Sequence, residues 1–313
     1  MITKNRAIPR RIRVAILAAV PAVILGVVGS GGGAAQAVSS AYVAGSANVA
    51  ARHLLFSDEF NGAAGTGPNS WSWSTVVGGS GFGNKELEYY TNRASNVSLN
   101  GRGALAITAR KETYKGADGV IRQWTSARLI SKVTIRYGYV EARIYLPSGQ
   151  GLWPAFWTVG SDILSKGWPF SGEIDILEAV NGMNAATGNL HGPSATASRH
   201  VYAFESYKPA TLAWGWHTYG IDWEPDSITW YLDGRAYGTV HKSWFNDKTN
   251  PWEFGKPHEL QLNLAVGGSW PGSPDSGTPA VSTMLVDYVR VYSATTTNVS
   301  VGYNWALPSI VKL

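Results

Sequence analysis

Ser227-Ile228-Thr229-Trp230-Tyr231-Leu232-Asp233-Gly234 reads as a short strand running into a tight turn. Apolar and polar residues alternate along it, the period of a half-buried β-strand. Asp-Gly tolerates the positive φ angles that a two-residue hairpin turn demands. Similar short segments recur at Val97–Leu99, Ala104–Ala109, Tyr139–Leu146, Ile174–Ala179 and Val286–Tyr292. Gly/Pro/Ser-rich loops separate them, as at Val77–Gly83 and Gly267–Pro279. No segment longer than about 12 residues carries a helical period. Strands without intervening helices predict an all-β sandwich or barrel, not a parallel sheet with crossover helices.

Composition narrows the function. The chain is 44% hydrophobic and only 15% charged, so it can bury a sizeable core. It has no cysteine, which excludes a disulfide framework, a thiol nucleophile and thiolate metal sites. The formal charge of +5 invites a nucleic-acid partner, but five cations, Lys4, Arg6, Arg10, Arg11 and Arg13, crowd the first 13 residues. An apolar run, Val14–Val28, and a small-residue stretch ending Ala35-Gln36-Ala37 follow. That is the pattern of a secretory signal peptide over 1–37. Its loss would leave 21 of the 26 basic residues against 21 acids, a neutral product with no basic stripe for phosphates. Residues 38–53 read as a flexible lead-in, 54–292 as one catalytic domain, and 293–313 as a tail or extra strand. The expectation is a secreted, extracellular monomer without nucleic-acid partner, and without membrane contact once the leader is cut.

The chemistry concentrates in Ser171-Gly172-Glu173-Ile174-Asp175-Ile176-Leu177-Glu178-Ala179. Three carboxyls within six residues of an apolar strand repel one another, and crowding spreads their pKa values as acid/base chemistry requires. Period two puts Glu173 and Asp175 on one face and Glu178 on the other. A β-bulge near Ile176-Leu177 would bring Glu178 back to the first face. A hard-cation site and a solvated edge strand are the other readings of the triplet. Nearby tryptophans, Trp153, Trp157 and Trp168, offer flat faces for sugar rings. His200, His217, His241 and His258 lack metal-ligand spacing, which argues against zinc.

Several blocks, in order and spacing, resemble glycoside hydrolase family 16, and within it the bacterial laminarinase-like endo-1,3-β-glucanases. They are Phe56–Phe60, Asn84–Thr91, Thr125–Leu129, Tyr137–Arg143, Leu152–Trp157, Gly172–Glu178, Leu262–Gly268 and Val286–Tyr292. Together they span nearly all of residues 54–292. The resemblance implies a β-jelly-roll sandwich of two antiparallel sheets, concanavalin A-like, with a concave substrate cleft. It implies Glu173 as nucleophile, Asp175 as the carboxyl that tunes it, and Glu178 as acid/base. The Glu-x-Asp-x-x-Glu spacing is similar to the laminarinase type and agrees with the bulge. A flat strand would hold the two glutamates roughly 13 Å apart. Retaining glycosidases need about 5–5.5 Å, so the sheet must curve.

By the same resemblance Asn84, Glu88, Trp153, Trp157, Trp168 and His191 contact β-glucan, with Arg122 and Trp124 as further cleft candidates. Catalysis needs no cofactor. A structural Ca²⁺ is implied at Glu59, a loop glycine at Gly101 or Gly103, and Asp287. Glu141 and Arg143, at i,i+2, read as a structural ion pair. After Glu178 the chain departs from many laminarinases, with Ala179-Val180-Asn181-Gly182-Met183-Asn184 where those carry an aromatic. Mixed-linkage 1,3-1,4-β-glucan and β-1,3-galactan therefore stay as alternative substrates. So do transglycosylation and a non-catalytic glucan-binding role.

Overall fold

The computed structural model describes residues 52–194, 200–207, 211–245, 248–295 and 297–312. The expected leader and nearly all of the lead-in lie outside them. The strands are β1 (Leu54–Asp58), β2 (Trp73–Val77), β3 (Glu88–Tyr90), β4 (Val97–Leu99), β5 (Leu105–Lys115), β6 (Ile121–Ser126), β7 (Arg128–Arg136), β8 (Gly138–Tyr145), β9 (Leu152–Gly160), β10 (Glu173–Glu178), β11 (Ala186–Pro193), β12 (His200–Tyr207), β13 (Trp216–Glu224), β14 (Ser227–Leu232), β15 (Arg235–His241), β16 (His258–Val266), β17 (Val281–Tyr292), β18 (Ser300–Tyr303) and β19 (Ile310–Lys312). Among the described residues a four-residue helix, α1 (Ile163–Lys166), and a 3-10 turn at Lys242–Trp244 interrupt them. No helix among the described residues is long and apolar enough to cross a membrane.

The strands form two sheets. One runs β15-β14-β13-β8-β17-β5-β6-β3, with β1 and β4 attached to β17 and β5. The other runs β12-β11-β10-β9-β16-β7-β2-β19, with β18 attached to β7. Pairing is antiparallel except for β3 with β6 and β19 with β2. This is the expected all-β sandwich. The hairpin works as its sequence demands, since Asp233 and Gly234 both have positive φ (51° and 72°) and Leu232 pairs with Arg235. Along β14, Ile228, Trp230 and Leu232 are buried, while Ser227, Thr229 and Tyr231 are partly exposed.

The tail beyond Tyr292 supplies β18 and β19. Leu307 and Val311 pack with Val76, Ile130 and Phe82 in a small apolar cluster apart from the main core. The expected Glu141–Arg143 pair does not form. Arg143 donates instead to Asp287 Oδ2 at 2.7 Å on β17, while Glu141 is buried.

The two sheets meet beneath the acidic strand. Trp230 of β14 is wholly buried and donates its indole N–H to the Asp175 carbonyl at 2.7 Å. Room for that indole comes from Gly188 on β11, where an added Cβ would lie 2.2 Å from Trp230 Nε1. Gly188→Ala should therefore push Trp230 off Asp175 and cost about 1–3 kcal/mol by overpacking. Urea denaturation should show a lower midpoint, with activity falling as well. An unchanged midpoint would contradict this packing.

Candidate active site

β10 lies inside its sheet, between β9 and β11, so the edge-strand reading fails. On β9, Asp175 pairs with Trp157, Leu177 with Phe156 and Glu178 with Ala155, leaving Ile176 as the extra residue. The bulge is where the spacing placed it, and it sets Glu178 on the face of Glu173 and Asp175. Register carries this face across the sheet. Glu173, Val159 and Glu259 form one cross-strand row, Asp175, Trp157 and Gln261 the next, and Glu178, Ala155 and Asn263 the third. On β11 the same alternation turns Thr187, Asn189 and His191 outward and buries Gly188 and Leu190.

Each acid has defined partners. Trp168 donates its indole N–H to Glu173 Oε2 at 3.1 Å. His191 Nε2 lies 3.1 Å from Asp175 Oδ2 and 3.8 Å from Glu173 Oε1. Glu178 accepts from Trp153 Nε1 at 3.0 Å on one oxygen and from Asn189 Nδ2 at 2.6 Å on the other. Burial first, then the neighbouring carboxylate of Asp175, pushes Glu173 and Glu178 up to about 8 each. Burial also pushes Asp175 well above the usual carboxylate range. The His191 charge opposes the rise at both glutamates, and Arg128 opposes it at Glu173. Three such groups cannot all ionise together, so they give up protons in steps.

A second network holds the floor. Trp157 donates to Asn263 Oδ1 at 2.7 Å, and the Arg128 guanidinium lies 4.6 Å from the Trp157 ring centroid. Arg128 is held by Gln261 at 2.7 Å. Asn263 and Glu86 both bond Tyr90 OH, and Asn84 Nδ2 reaches Glu86 Oε1 at 3.3 Å. Glu86, Arg128, Asn189 and Asn263 were not among the expected site residues. Alternation with His191 could have found Asn189, and alternation along Leu262–Gly268 could have found Asn263.

Other expectations need correction. Glu88 is wholly buried and accepts the Val266 N–H at 2.6 Å, so it has no surface to offer a glucan. Its burial, and then the charge of Glu86, push its carboxyl well above the ordinary range. Arg122 and Trp124 sit on β6 of the opposite sheet. They line a separate cavity of about 410 Å³ with Leu87, Lys111 and Pro274. Trp124 is in the core, and Arg122 donates to the Gly79 carbonyl. Asn84 is exposed, and its carbonyl accepts from the Ser269 N–H at 2.7 Å, with Gly268 beside the Trp153 ring. In the departing segment, Asn181 Oδ1 accepts the Gly151 N–H at 2.7 Å and Met183 is core. That segment braces the start of β9.

The calcium residues do not fit a cation. Both oxygens of Glu59 are taken by Arg290, at 2.9 and 2.8 Å, and Asp287 is taken by Arg143. Gly101 is a turn residue with φ of 73° against Ala64. Among the described residues, the one group of three whose ligating atoms lie within 4.8 Å of one another is Glu173, Asp175 and His191. There an imidazole already sits against Asp175, and an indole N–H points at Glu173.

A face of clustered acids beneath indole rings, on a two-sheet β-sandwich, defines a glycoside hydrolase. The glycosyl hydrolases family 16 model matches residues 84–290, and the chain belongs to that family. It is 38% identical over 255 residues to a beta-glucanase of Rhodothermus marinus, covering 76% of this chain and 84% of that one. It is 34% identical to glucan endo-1,3-beta-glucosidase A1 of Niallia circulans, covering 78% of this chain and 38% of that longer protein. The endo-beta-1,3-glucanase structure from Pyrococcus furiosus is similar at a TM-score of 0.71 and 40% identity, over 79% of this chain and 96% of that one.

The raised carboxyls have a consequence for stability. Unfolded glutamates titrate near pH 4.3, while Glu173 and Glu178 hold their protons up to about pH 8 in the folded chain. The stability from neutral carboxyls is complete below the unfolded value and is lost as pH rises through the folded one. The melting temperature should fall between about pH 5 and about pH 8, and fall less in Glu178→Gln. Parallel curves for the two proteins would contradict the raised values.

Proposed function

We propose that this family 16 enzyme is exported and cleaves internal β-1,3-glucosidic bonds of laminarin-type β-glucan by double displacement. The observation that carries the proposal is the bulge at Ile176, which puts Glu173, Asp175 and Glu178 on one face, with an indole N–H directed at each glutamate. The roles are those that the family's Glu-x-Asp-x-x-Glu order implies: Glu173 is the nucleophile and Glu178 the proton donor. Burial raises both carboxyls alike, and Arg128 favours the anion at Glu173.

In the first step Glu178 protonates the glycosidic oxygen while Glu173 attacks the anomeric carbon and forms a covalent glycosyl-enzyme. In the second, ionised Glu178 takes a proton from water, which displaces Glu173. Asp175 changes its share of the proton with Glu173 as the latter gains and loses charge. His191, in contact with both, stabilises the charge wherever it rests. Trp153, Trp157, Trp168 and Asn84 are the proposed sugar contacts. Support for β-1,3-glucan comes from the similar proteins, two of them named for that linkage. Support for export comes from the leader-like first 37 residues.

Reducing-end release should be fastest on laminarin among laminarin, lichenan, agarose and β-1,3-galactan. Activity on galactan alone would overturn the substrate, and binding of laminarin without products would favour a lectin. Glu178→Gln should lower kcat about 10²- to 10⁴-fold on glucan. Unchanged turnover in Glu173→Gln would remove that residue from its role.

A further inference from the structure

The tail crosses the cleft sheet on its way from β18 to β19. β18 and β2 lie end to end along one edge of β7, pairing with residues 133–136 and 128–131. β19 lies on the far side of β2, so the chain between Tyr303 and Ile310 must pass over β2. It passes on the face of the acids. Asn304 Nδ2 donates to Glu259 Oε1 at 2.6 Å, and Leu307 packs with Val76, Ile130 and Phe82. Trp73 and Leu129, which alternate with Val76 and Ile130 along their strands, point to the main core on the other face. Hydrogen bonds fix the crossing along its length. Asn304 N–H donates to the Lys132 carbonyl at 2.6 Å, Leu307 N–H to the Asn304 carbonyl at 3.2 Å, and Thr75 N–H to the Ser309 carbonyl at 3.0 Å.

Two rows of the cleft face run to this crossing. The row of Asp175, Trp157 and Gln261 continues to Ile130 on β7 and Ser74 on β2. The row of Glu178, Ala155 and Asn263 continues to Arg128 and Val76. At about 4.8 Å per strand, Ile130 lies about 14 Å from Asp175, and Val76 about 19 Å from Glu178, along the sheet. The rings lead the same way. The Arg128 guanidinium lies 4.6 Å from the Trp157 ring centroid and 5.4 Å from that of Phe82, which packs against the cluster of Leu307. Ser74, Val76 and Ile130 are buried, while Ala306, Pro308 and Ser309, the chain neighbours of Leu307, are exposed. A polymer lying on the floor of these rows therefore meets the tail within a few sugar units and has to lift away. We infer that residues 305–309, anchored by Leu307, form an end wall of the glucan cleft and set how many sugar units the floor grips on that side. The inference rests on the β-glucanase reading of the site.

The test uses the full chain and reducing-end-labelled β-1,3-gluco-oligosaccharides of increasing length, with products read by mass spectrometry. In the parent, kcat/KM should stop rising once the oligosaccharide fills the floor up to the tail. Leu307→Asp puts a charge that resists burial on Val76 and Ile130, and so unseats the crossing. In that variant kcat/KM should go on rising with longer oligosaccharides, and the preferred bond should shift by about one sugar unit or more. Leu307→Ala should shift the pattern the same way by less, and it decides the question if thermal melting shows Leu307→Asp unfolded. Leu307→Met, which keeps the volume, should give the parent pattern. An unchanged length dependence and cleavage pattern in the folded variants would overturn the wall. So would an equal loss at every chain length, which would mark a purely structural role for Leu307. A parent inert on every β-1,3-glucan overturns the function reading and this inference with it. An active parent whose variants keep its pattern overturns the wall alone.

Discussion

Three carboxyl groups held on one buried face of a single strand are costly, and much of the architecture around them answers that cost. Like charges in a low-dielectric site raise one another's pKa values, and burial raises them further. An extra residue at Ile176 is what puts Glu178 with the other two. Donors then converge from separate elements. Trp168 comes from the loop before β10, Trp153 from β9, and Asn189 and His191 from β11. Trp230 from the opposite sheet fixes the backbone at Asp175. The electrostatic tension is the reactive feature, because a neutral Glu178 and an ionised Glu173 are what double displacement needs.

β16 performs the matching task beneath the substrate. All nine of its residues are buried, yet Glu259, Gln261 and Asn263 are polar and share one face. Asn263 holds Trp157, Gln261 holds Arg128, and Glu259 holds Asn304 of the tail. The aromatic floor is thus braced by side-chain hydrogen bonds from a core strand, which keeps rings at fixed angles. The tail is tied to the same strand, so a segment with little sequence pattern becomes part of the cleft sheet.

Much of this was legible in the residues, for local reasons. Asp233-Gly234 announces a hairpin because few pairs accept two positive φ angles. Glu-x-Asp-x-x-Glu announces a bulge because its last carboxyl is one residue out of phase. Glu88 was misplaced because a resemblance gives a position but not a depth, and its burial depends on Val266, 178 residues away. Glu59 and Asp287 were implied for a cation by the resemblance alone, and their partners, Arg290 and Arg143, are brought to them by sheet pairing. Arg122 and Trp124 went astray because β6 pairs in parallel with β3, a contact without a local turn signal. β19 beside β2 was hidden in the same way.

The stereochemistry of the first product tests the nucleophile most directly. ¹H NMR of a laminarin digest, read before mutarotation, should show the new reducing end as the β anomer, since two displacements through Glu173 restore the starting configuration. An α anomer formed first would mean that water attacks directly. That result would contradict a covalent role for Glu173.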